Sequence, residues 1–462
     1  MTLRSRSTRL RWVASLAVAG TLALAACNVS DVLKVTDPDV INPSDVQSAA
    51  GASAVRLGAI SRLNSATSGG SSNSEGLFLL SGLLTDEWNN GDSYIDRQTV
   101  DARLIVPSNS FLTDVDRMLQ RARLSAVQAI GLLQQYNPTG PAADVGEMYF
   151  VQAYVENELG ESYCNGLIIS NVVNGVVTYG SPMTTAATFA RALAHADSGL
   201  ALVTGSGTQD VKIRNALMVT RGRILLNLDR PSDAATAVAT VPTNFKYQNL
   251  HSQATSDNQM WTYNNIARRY SVSTVEGING LNFATAGDPR LPICVGGDPV
   301  CKSIGATFAT RDDGSTPLYV QMVWPTRDAS VTIASGVEAR LIEAEAAFRA
   351  GNPSGMIAKL NQARTEGGVT GLAANLTDPG TDAARVNLVF RERAFWLFST
   401  GHRLGDMRRL VKFYSRPAES VFPTGPWQKG GNYGTDVNFP VPQAEQNNPN
   451  LPSGQVCIDR NA

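Results

Sequence analysis

One stretch near the C-terminus, Arg385 to Arg409, constrains the fold of this chain more than any other. Its sequence is RVNLVFRERAFWLFSTGHRLGDMRR. Apolar residues, among them Val386 and Phe390, recur at helical spacing, which predicts a helix with one buried face. Gly401 suits the left-handed backbone that ends a helix, and a second helical segment follows it. The stretch therefore predicts two packed helices joined at a glycine.

Charged residues crowd the buried face of these two helices. Charges this close to an apolar face are tolerated only when they are paired and hydrogen-bonded. We expect four of them to form a partly buried ionic network that locks the helices together. They are Glu392, Arg393, Arg403 and Asp406. A catalytic role is the alternative, but structural ion pairs are the commoner cause of such clusters.

The N-terminus resembles a bacterial lipoprotein signal. Four arginines precede an apolar run, Val13 to Ala26, which is too short to span a bilayer core of about 30 Å. The run ends in Leu-Ala-Ala before Cys27. We therefore expect residues 1–26 to be removed and Cys27 to carry acyl chains, which anchor a protein by burying about 0.8 kcal/mol per CH₂. An ordinary secretory signal is the alternative.

The segment RERAFWLFSTGHRLGDMRR resembles the C-terminal signature of the SusD/RagB family, whose members are surface lipoproteins that capture nutrients, mostly glycans, for an outer-membrane transporter. That signature runs R-x-E-R, then a glutamate and a leucine, then E-G-x-R and D-L-x-R. Two glutamates of the pattern are replaced here, by Trp396 and Thr400. The matching residues are Glu392, Arg393, Leu397, Gly401, Arg403, Asp406 and Arg409.

Further landmarks of the same family occur in its order. The helical segment EARLIEAEAAFRAG, with KLNQAR after it, resembles the helix pair that precedes the signature. Gly287-Asp288-Pro289-Arg290 resembles the family's Asp-Pro-Arg turn, and NFPVPQAEQNNPNL at 438–451 resembles its terminal segment. The resemblance implies a mostly α-helical, SusD-like fold and a SusC-like TonB-dependent β-barrel transporter as partner. It also implies attachment to the outer membrane through the lipid, on the cell surface.

Helical periodicity alone also predicts a helical scaffold. The run RNALMVTRGRILLNLDRPSDAATAVATVP is typical of a tetratricopeptide-like helix pair, with small residues at the crossing and an alanine-rich partner. Glycine, proline, asparagine and aromatic residues dominate the middle of the chain, which predicts a long loop-rich excursion. We expect a signal peptide at 1–26 and one domain at 27–462, with helical scaffold at about 45–240 and 335–415, the excursion at about 241–335, and an irregular segment at 413–462.

Besides Cys27 the chain has an even number of cysteines, which favours disulfides in an exported protein. Cys294 and Cys301 bracket a Gly-Gly-Asp-Pro turn, and a short loop is the obvious pairing. Cys164 and Cys457 then remain for each other, although four cysteines allow three connectivities. A zinc site is the rival interpretation, but neither a Cys-x-x-Cys motif nor clustered histidines support it.

Composition and charge argue against several classes of function. The formal net charge of −1 and the lack of a basic stripe argue against nucleic acid as a partner. The three histidines lack the spacing of a catalytic triad or a metal site, and we expect neither an enzyme nor a cofactor or metal. A nutrient-binding protein is therefore the preferred interpretation. A helical-repeat envelope scaffold without a small-molecule site and a surface hydrolase are the alternatives.

A sugar-binding surface needs flat aromatic faces beside polar groups. Two irregular stretches, 86–97 and 258–270, offer both, and another tryptophan lies in the same excursion as the second stretch. The alternative is that these rings only pin long loops onto the helices. The predicted ligand-binding residues are Trp88, Asn89, Tyr94, Arg97, Trp261, Tyr263, Tyr270 and Trp324.

Overall fold

The computed structural model describes residues 46–70, 75–173, 176–452 and 457–462. The predicted signal peptide and the predicted lipid anchor, Cys27, lie outside these residues. All elements named below belong to the unit from Ser48 to Ala462. In the part of the chain that the structure describes, no helix combines the length and the apolar character needed to cross a bilayer.

Helices form most of the secondary structure, and side-chain caps begin several of them. Asn109, for example, accepts a hydrogen bond from the backbone N–H of Leu112, and Ser335 accepts one from that of Glu338, which satisfies N–H groups that have no partner inside the helix. The helices are α1 Ala49–Ser68, α2 Gly76–Leu84, α3 Ile95–Asp101, α4 Ser110–Tyr136, α5 Ala142–Ser162, α6 Thr185–Leu202, α7 Thr208–Asn227, α8 Pro231–Val238, α9 Gln259–Trp261, α10 Pro299–Ser303, α11 Gly336–Arg349, α12 Pro353–Glu366, α13 Asp382–Trp396, α14 His402–Phe413 and α15 Ala418–Val421.

The strands are short and pair only two by two among the described residues. The antiparallel pairs are β1 with β7, β2 with β5, β3 with β4, β6 with β10 and β8 with β9. The strands are β1 Trp88–Asn90, β2 Leu167–Ile168, β3 Asn171–Val173, β4 Val176–Thr178, β5 Pro182–Met183, β6 Lys246–Asn249, β7 Tyr270–Val272, β8 Ile293–Val295, β9 Tyr319–Gln321 and β10 Val331–Ser335.

The long helices pack on one another in a continuous series. Helix α1 packs on α4, α4 on α5, α5 on α6 and α7, α7 on α8, α8 on α11, and α11 on α12 and α13. The pair α7–α8 is the tetratricopeptide-like pair expected from the sequence. Its crossing is close because Gly222 has no side chain: a Cβ there would lie 2.5 Å from Cγ1 of Val238. The helical scaffold is thus built from neighbouring pairs.

The middle of the chain departs from this pattern. Between β6 and the start of α11 no helix among the described residues is longer than five residues: α10 has five, and so does a π-helix, Thr262–Ile266, that extends α9. Strands β7, β8 and β9 and the loops between them fill most of this region. The loop-rich excursion therefore has local structure of its own, with much of it held by two-stranded ladders.

The helix–glycine–helix stretch folds as α13 and α14, with one difference in detail. Helix α13 ends at Trp396, and Gly401 lies four residues beyond Leu397, its C-terminal cap. Gly401 has a left-handed φ of 78° and stands immediately before α14. The glycine therefore begins the second helix and does not end the first. A side chain there would lie 2.8 Å from Phe78, so the close approach to α2 also requires glycine.

Candidate functional site

Buried ion pairs form the frame behind the loops. Arg393 donates two hydrogen bonds to Asp406, at 2.7 and 2.8 Å, and these join α13 to α14. Arg409 adds contacts to Asp406 and to Glu345 of α11, at 2.9 Å each. Burial alone would raise the pKa of Asp406, but the guanidinium groups of Arg393 and Arg409 outweigh it and hold that pKa well below the usual range.

The predicted network was wrong in two of its four members. Glu392 accepts hydrogen bonds from Arg290, at 2.8 Å, and from Arg364, at 2.9 Å. Arg403 binds Asp86, at 2.7 and 2.8 Å. Neighbouring residues on a helix point about 100° apart, so Glu392 and Arg393 cannot face the same partner. These pairs instead tie the loop regions, through residues 86 and 290, to the C-terminal helices.

A short ladder brings together the two stretches that were predicted to bind a ligand. Strand β1 pairs antiparallel with β7, so that Trp88 lies opposite Val272 and Asn90 opposite Tyr270. The loop that follows β1 and the loop that precedes β7 therefore leave the ladder at the same end. The juxtaposition of 86–97 with 258–270 is a property of the fold that the sequence did not reveal.

Two of the predicted rings are fully buried. Trp88 packs 5.1 Å from the ring of Phe398 and donates its indole N–H to Ser399 at 2.8 Å. Tyr270 donates its hydroxyl to Glu75, and its ring packs edge-on against Trp88 at 6.2 Å. These buried rings pin the ladder onto the helices, which is the alternative given for them in the sequence analysis.

Three further predicted residues also point inward. Arg97 is 1% exposed and binds both Glu75 and Asp92. Asn89 donates to Glu276 at 2.9 Å. The ring of Tyr263 is buried beside Arg97, and burial raises its pKa to about 12. Asn89, Arg97 and Tyr263 therefore support the loops from beneath in this structure.

Tyr94 and Trp261 are the predicted residues that reach the surface near the ladder. Tyr94 is 55% exposed, and the guanidinium carbon of Arg269 lies 5.3 Å from its ring centroid. Trp261 is partly exposed. Nearby in the chain, Arg268 lies 4.2 Å from the ring centroid of Phe308, which is 53% exposed. We call these five residues, Tyr94, Trp261, Arg268, Arg269 and Phe308, the ring–arginine surface.

The C-terminal segment also reaches the loop after β1, which the sequence analysis missed. Lys429 donates to the backbone carbonyl of Asp92, and Trp427 donates its indole N–H to Asp101 at 2.9 Å. Burial and the charge of Glu276 raise the pKa of Asp101 to about 7. The sequence signal that could have indicated this contact was Trp427, because tryptophan is an unusual residue in a glycine-rich segment.

Trp324 lies apart from this surface, in a cavity. It is 5% exposed and lines a concavity of about 230 Å³ between β10, the end of α13 and the loop after α12. Trp396, Thr400 and His402 line the same cavity. Trp324 is therefore the only predicted ligand-binding residue that lines this cavity.

The cysteines form two disulfides. Cys294 pairs with Cys301, with Cα atoms 5.5 Å apart, and Cys164 pairs with Cys457, with Cα atoms 6.0 Å apart. This is the connectivity that the sequence favoured among three. Among the described residues, the one group with metal-ligand spacing is Cys294, Asp298 and Cys301. Its sulfur atoms are bonded to each other, so they offer no thiolates to zinc.

Comparison with known proteins gives a result for structure only. No protein-family model matches the sequence. No curated protein matches it either. Solved structures match over most of the chain, among them a SusD superfamily protein from Bacteroides fragilis, with 15% identity, a TM-score of 0.63, and coverage of 87% of this chain and 99% of the other.

Two more structures agree with it. A SusD superfamily protein from Parabacteroides distasonis has 16% identity and a TM-score of 0.61, and the match covers 88% of this chain and 98% of the other. A SusD-like carbohydrate-binding protein from Bacteroides fragilis has 14% identity and a TM-score of 0.60, with 88% and 99% covered. The mostly helical class and the resemblance read from the signature are thus confirmed at the level of structure: this chain has the fold of the SusD superfamily.

Proposed function

We propose that this protein captures a glycan or similar nutrient on the ring–arginine surface and delivers it to a TonB-dependent β-barrel transporter. The observation that carries the proposal is the exposed ring of Tyr94 beside Arg269, on loops that a buried ladder and buried ion pairs hold in place. One of the structures with the same fold is described as a carbohydrate-binding protein, which supports the ligand class.

The chemistry of this surface suits a sugar. A pyranose presents an apolar face of C–H groups, which packs on a flat ring, and a rim of hydroxyls, which accept hydrogen bonds from guanidinium groups. Tyr94 offers such a ring, and Arg269 beside it offers donors. Arg268 already donates to the carbonyl oxygens of Thr310 and Arg311 and to Asp312, so it holds its loop in place. The loops need not reorganise on binding, because Arg97 and Tyr263 are already fixed beneath them.

The proposal is for binding without turnover. Two histidines already have structural partners: His195 lies 2.7 Å from Glu156, and His251 lies 2.9 Å from the hydroxyl of Ser68. We expect the bound ligand to be recovered intact and its affinity to be unaffected by chelators. Release of a shorter sugar by the purified protein would instead favour the surface hydrolase.

The test of the site is binding of soluble oligosaccharides to the mature chain. A glycan array identifies the ligand, and calorimetry measures its affinity. We expect Tyr94→Ala to weaken binding about tenfold, which corresponds to about 1.4 kcal/mol. Tyr136→Ala is the matched control, because Tyr136 is a partly exposed tyrosine at the far end of α4, whose 27 residues span about 40 Å. Equal affinities for the two variants would remove Tyr94 from the site.

Delivery and anchoring have their own test. We expect the wild-type protein to fractionate with outer membranes, to be accessible to protease on intact cells, and to co-purify with a β-barrel transporter. Cys27→Ser should release it from the membrane. Co-purification with other envelope proteins in the absence of any transporter, together with no ligand on the array, would favour the scaffold alternative.

A further inference from the structure

We propose a second ligand site in the cavity lined by Trp324 and Trp396, one that takes a single neutral sugar ring. The inference rests on the proposed function for its ligand class, but it concerns a different place in the fold. The cavity walls come from β10, the C-terminal end of α13, the turn before α14 and the loop after α12. We call it the tryptophan cavity.

The size of the tryptophan cavity limits its occupant. Its volume of about 230 Å³ is below the roughly 300–1,000 Å³ of sites that take drug-sized ligands. A single six-membered ring with its hydroxyls suits that space, and a longer chain has no room inside. The walls include two indoles, Trp324 and Trp396, and two phenyl rings, Phe395 and Phe398. Such walls suit the apolar face of a sugar.

Polar groups with incomplete hydrogen bonding line the same space. The indole N–H of Trp396 is buried without a hydrogen-bond partner, and Oε1 of Glu338 and Nε2 of His402 are buried with only each other as partners. Glu338 and His402 are 1% and 2% exposed. Their two atoms lie 3.0 Å apart but are not aligned for a hydrogen bond with each other. Buried polar groups are nearly always satisfied, so an indole N–H without a partner beside a poorly aligned carboxylate–imidazole pair favours a hydroxylated occupant.

The charges of the lining favour a neutral ligand. Arg290 is fully committed, because it binds Asp288 at 2.7 Å and Glu392 at 2.8 Å. The other charged groups in the lining are Lys246, which is exposed, and the carboxylate of Glu338. One cation and one anion leave no excess of either sign to select an ion.

The experiment uses the mature, disulfide-bonded chain and a panel of free monosaccharides: glucose, galactose, mannose, xylose and N-acetylglucosamine. Titration is followed by tryptophan fluorescence and by calorimetry. We expect at least one sugar to bind saturably and to change the indole emission. Trp396→Ala should weaken that binding by about tenfold or more, and Tyr136→Ala should leave it unchanged.

A second variant keeps the test valid if Trp396→Ala destabilises the fold. Val369 lines the cavity from a partly exposed loop, so Val369→Trp fills the space and leaves Glu338 and His402 in place. Circular dichroism and an unfolding curve establish that the variant is folded. We expect it to abolish monosaccharide binding.

The outcomes separate this site from the ring–arginine surface. If no monosaccharide binds the wild type, or if binding survives both Trp396→Ala and Val369→Trp, the inference is overturned, even when Tyr94→Ala weakens oligosaccharide binding. If monosaccharide binding depends on the cavity while no oligosaccharide responds to Tyr94→Ala, the tryptophan cavity stands and the ring–arginine surface fails.

Discussion

At the scale of single residues, the adjacent carboxyl groups of Asp86 and Glu87 have opposite surroundings. Asp86 forms a two-point ion pair with Arg403. Glu87 is fully buried, and its carboxyl group accepts a hydrogen bond from the backbone of Ser399 at 2.7 Å. Burial is the largest influence and raises the pKa of Glu87 to about 8, against the opposing effects of that hydrogen bond and of the Arg403 charge. The nearby charges of Asp86 and Asp406 raise it further.

A pH dependence of stability follows for Glu87. The folded state holds the proton up to about pH 8, whereas the unfolded chain releases it near 4.5, so the free energy of unfolding falls as pH rises between these values, by at most about 1.4 kcal/mol per unit. Glu87→Gln cannot titrate and should gain stability relative to the wild type from pH 5 to 8. Urea unfolding at several pH values measures this difference.

The control is Glu366→Gln. Glu366 is exposed, and hydrogen bonds from Thr243 and Gln362 lower its pKa, so its contribution to stability is lost only as pH falls through its acidic range. From pH 5 to 8, the unfolding free energy of Glu366→Gln should change with pH in the same way as that of the wild type. If the unfolding free energy of Glu87→Gln also changed with pH as that of the wild type does, Glu87 would be ionised in the folded protein.

The direction of single side chains was the least predictable feature. The stretch TDEWNNGDSYIDR mixes aromatic and polar residues, and nothing in it distinguished the buried Trp88 from the exposed Tyr94. Strand β1 has three residues, all of them buried, so it shows no alternation that would mark one face as inward. Which ring faced solvent depended on the partner strand, which lies about 180 residues away.

At the scale of elements, the sequence reveals where the helices lie more fully than it reveals which charged residues pair. The apolar periodicity of 142–159 and of 336–349 can be read from the sequence, and the structure has helices there at Ala142–Ser162 and Gly336–Arg349. Charge partners were harder, because Glu392 and Arg403 bind residues far away in sequence. A helix shows its apolar stripe in its own sequence, but the group opposite a charge belongs to another segment.

The pair between α13 and α14 gives a prediction at this scale. Asp406→Asn removes the carboxylate that binds Arg393, which is 0% exposed, at 2.7 Å and leaves only Glu345, at 3.8 Å, as a nearby negative charge. Removing one partner of a buried pair costs about 3–5 kcal/mol. We expect a loss of unfolding free energy of that size in urea, measured near neutral pH.

Asp382→Asn is the comparison for Asp406→Asn. Asp382 also pairs with an arginine, Arg385, but its side chain is 82% exposed. An exposed pair contributes about 0–1 kcal/mol. Similar losses for the two variants would mean that burial does not decide the strength of these pairs.

At the scale of the whole molecule, the chain is tied together by contacts between distant segments. One disulfide closes a sequence separation of 293 residues, and the other closes seven. In the chain-entropy view, a cross-link stabilises more when it closes a longer loop, because it restricts the unfolded chain more strongly. The two disulfides should therefore contribute unequally.

The unequal contribution can be measured with paired substitutions. We expect Cys164→Ser with Cys457→Ser to lower the free energy of unfolding by about 5–6 kcal/mol, and Cys294→Ser with Cys301→Ser by about 2–3 kcal/mol. Urea unfolding under non-reducing conditions gives both values. A greater loss from the short loop would mean that local packing around Cys294, among Leu318 and Val320, outweighs loop length.

The ladder between β1 and β7 has a consequence for how such a protein can diversify. Its three residue pairs fix where the two loops start, and the buried rings below fix the ladder itself. Insertions or deletions in the two loops beyond the last residue pair, Asn90 and Tyr270, would change the outer surface and leave the helices unchanged. The ladder therefore separates the part of the molecule that can vary, the loop tips, from the part that must stay constant, the paired strands and the helices beneath them.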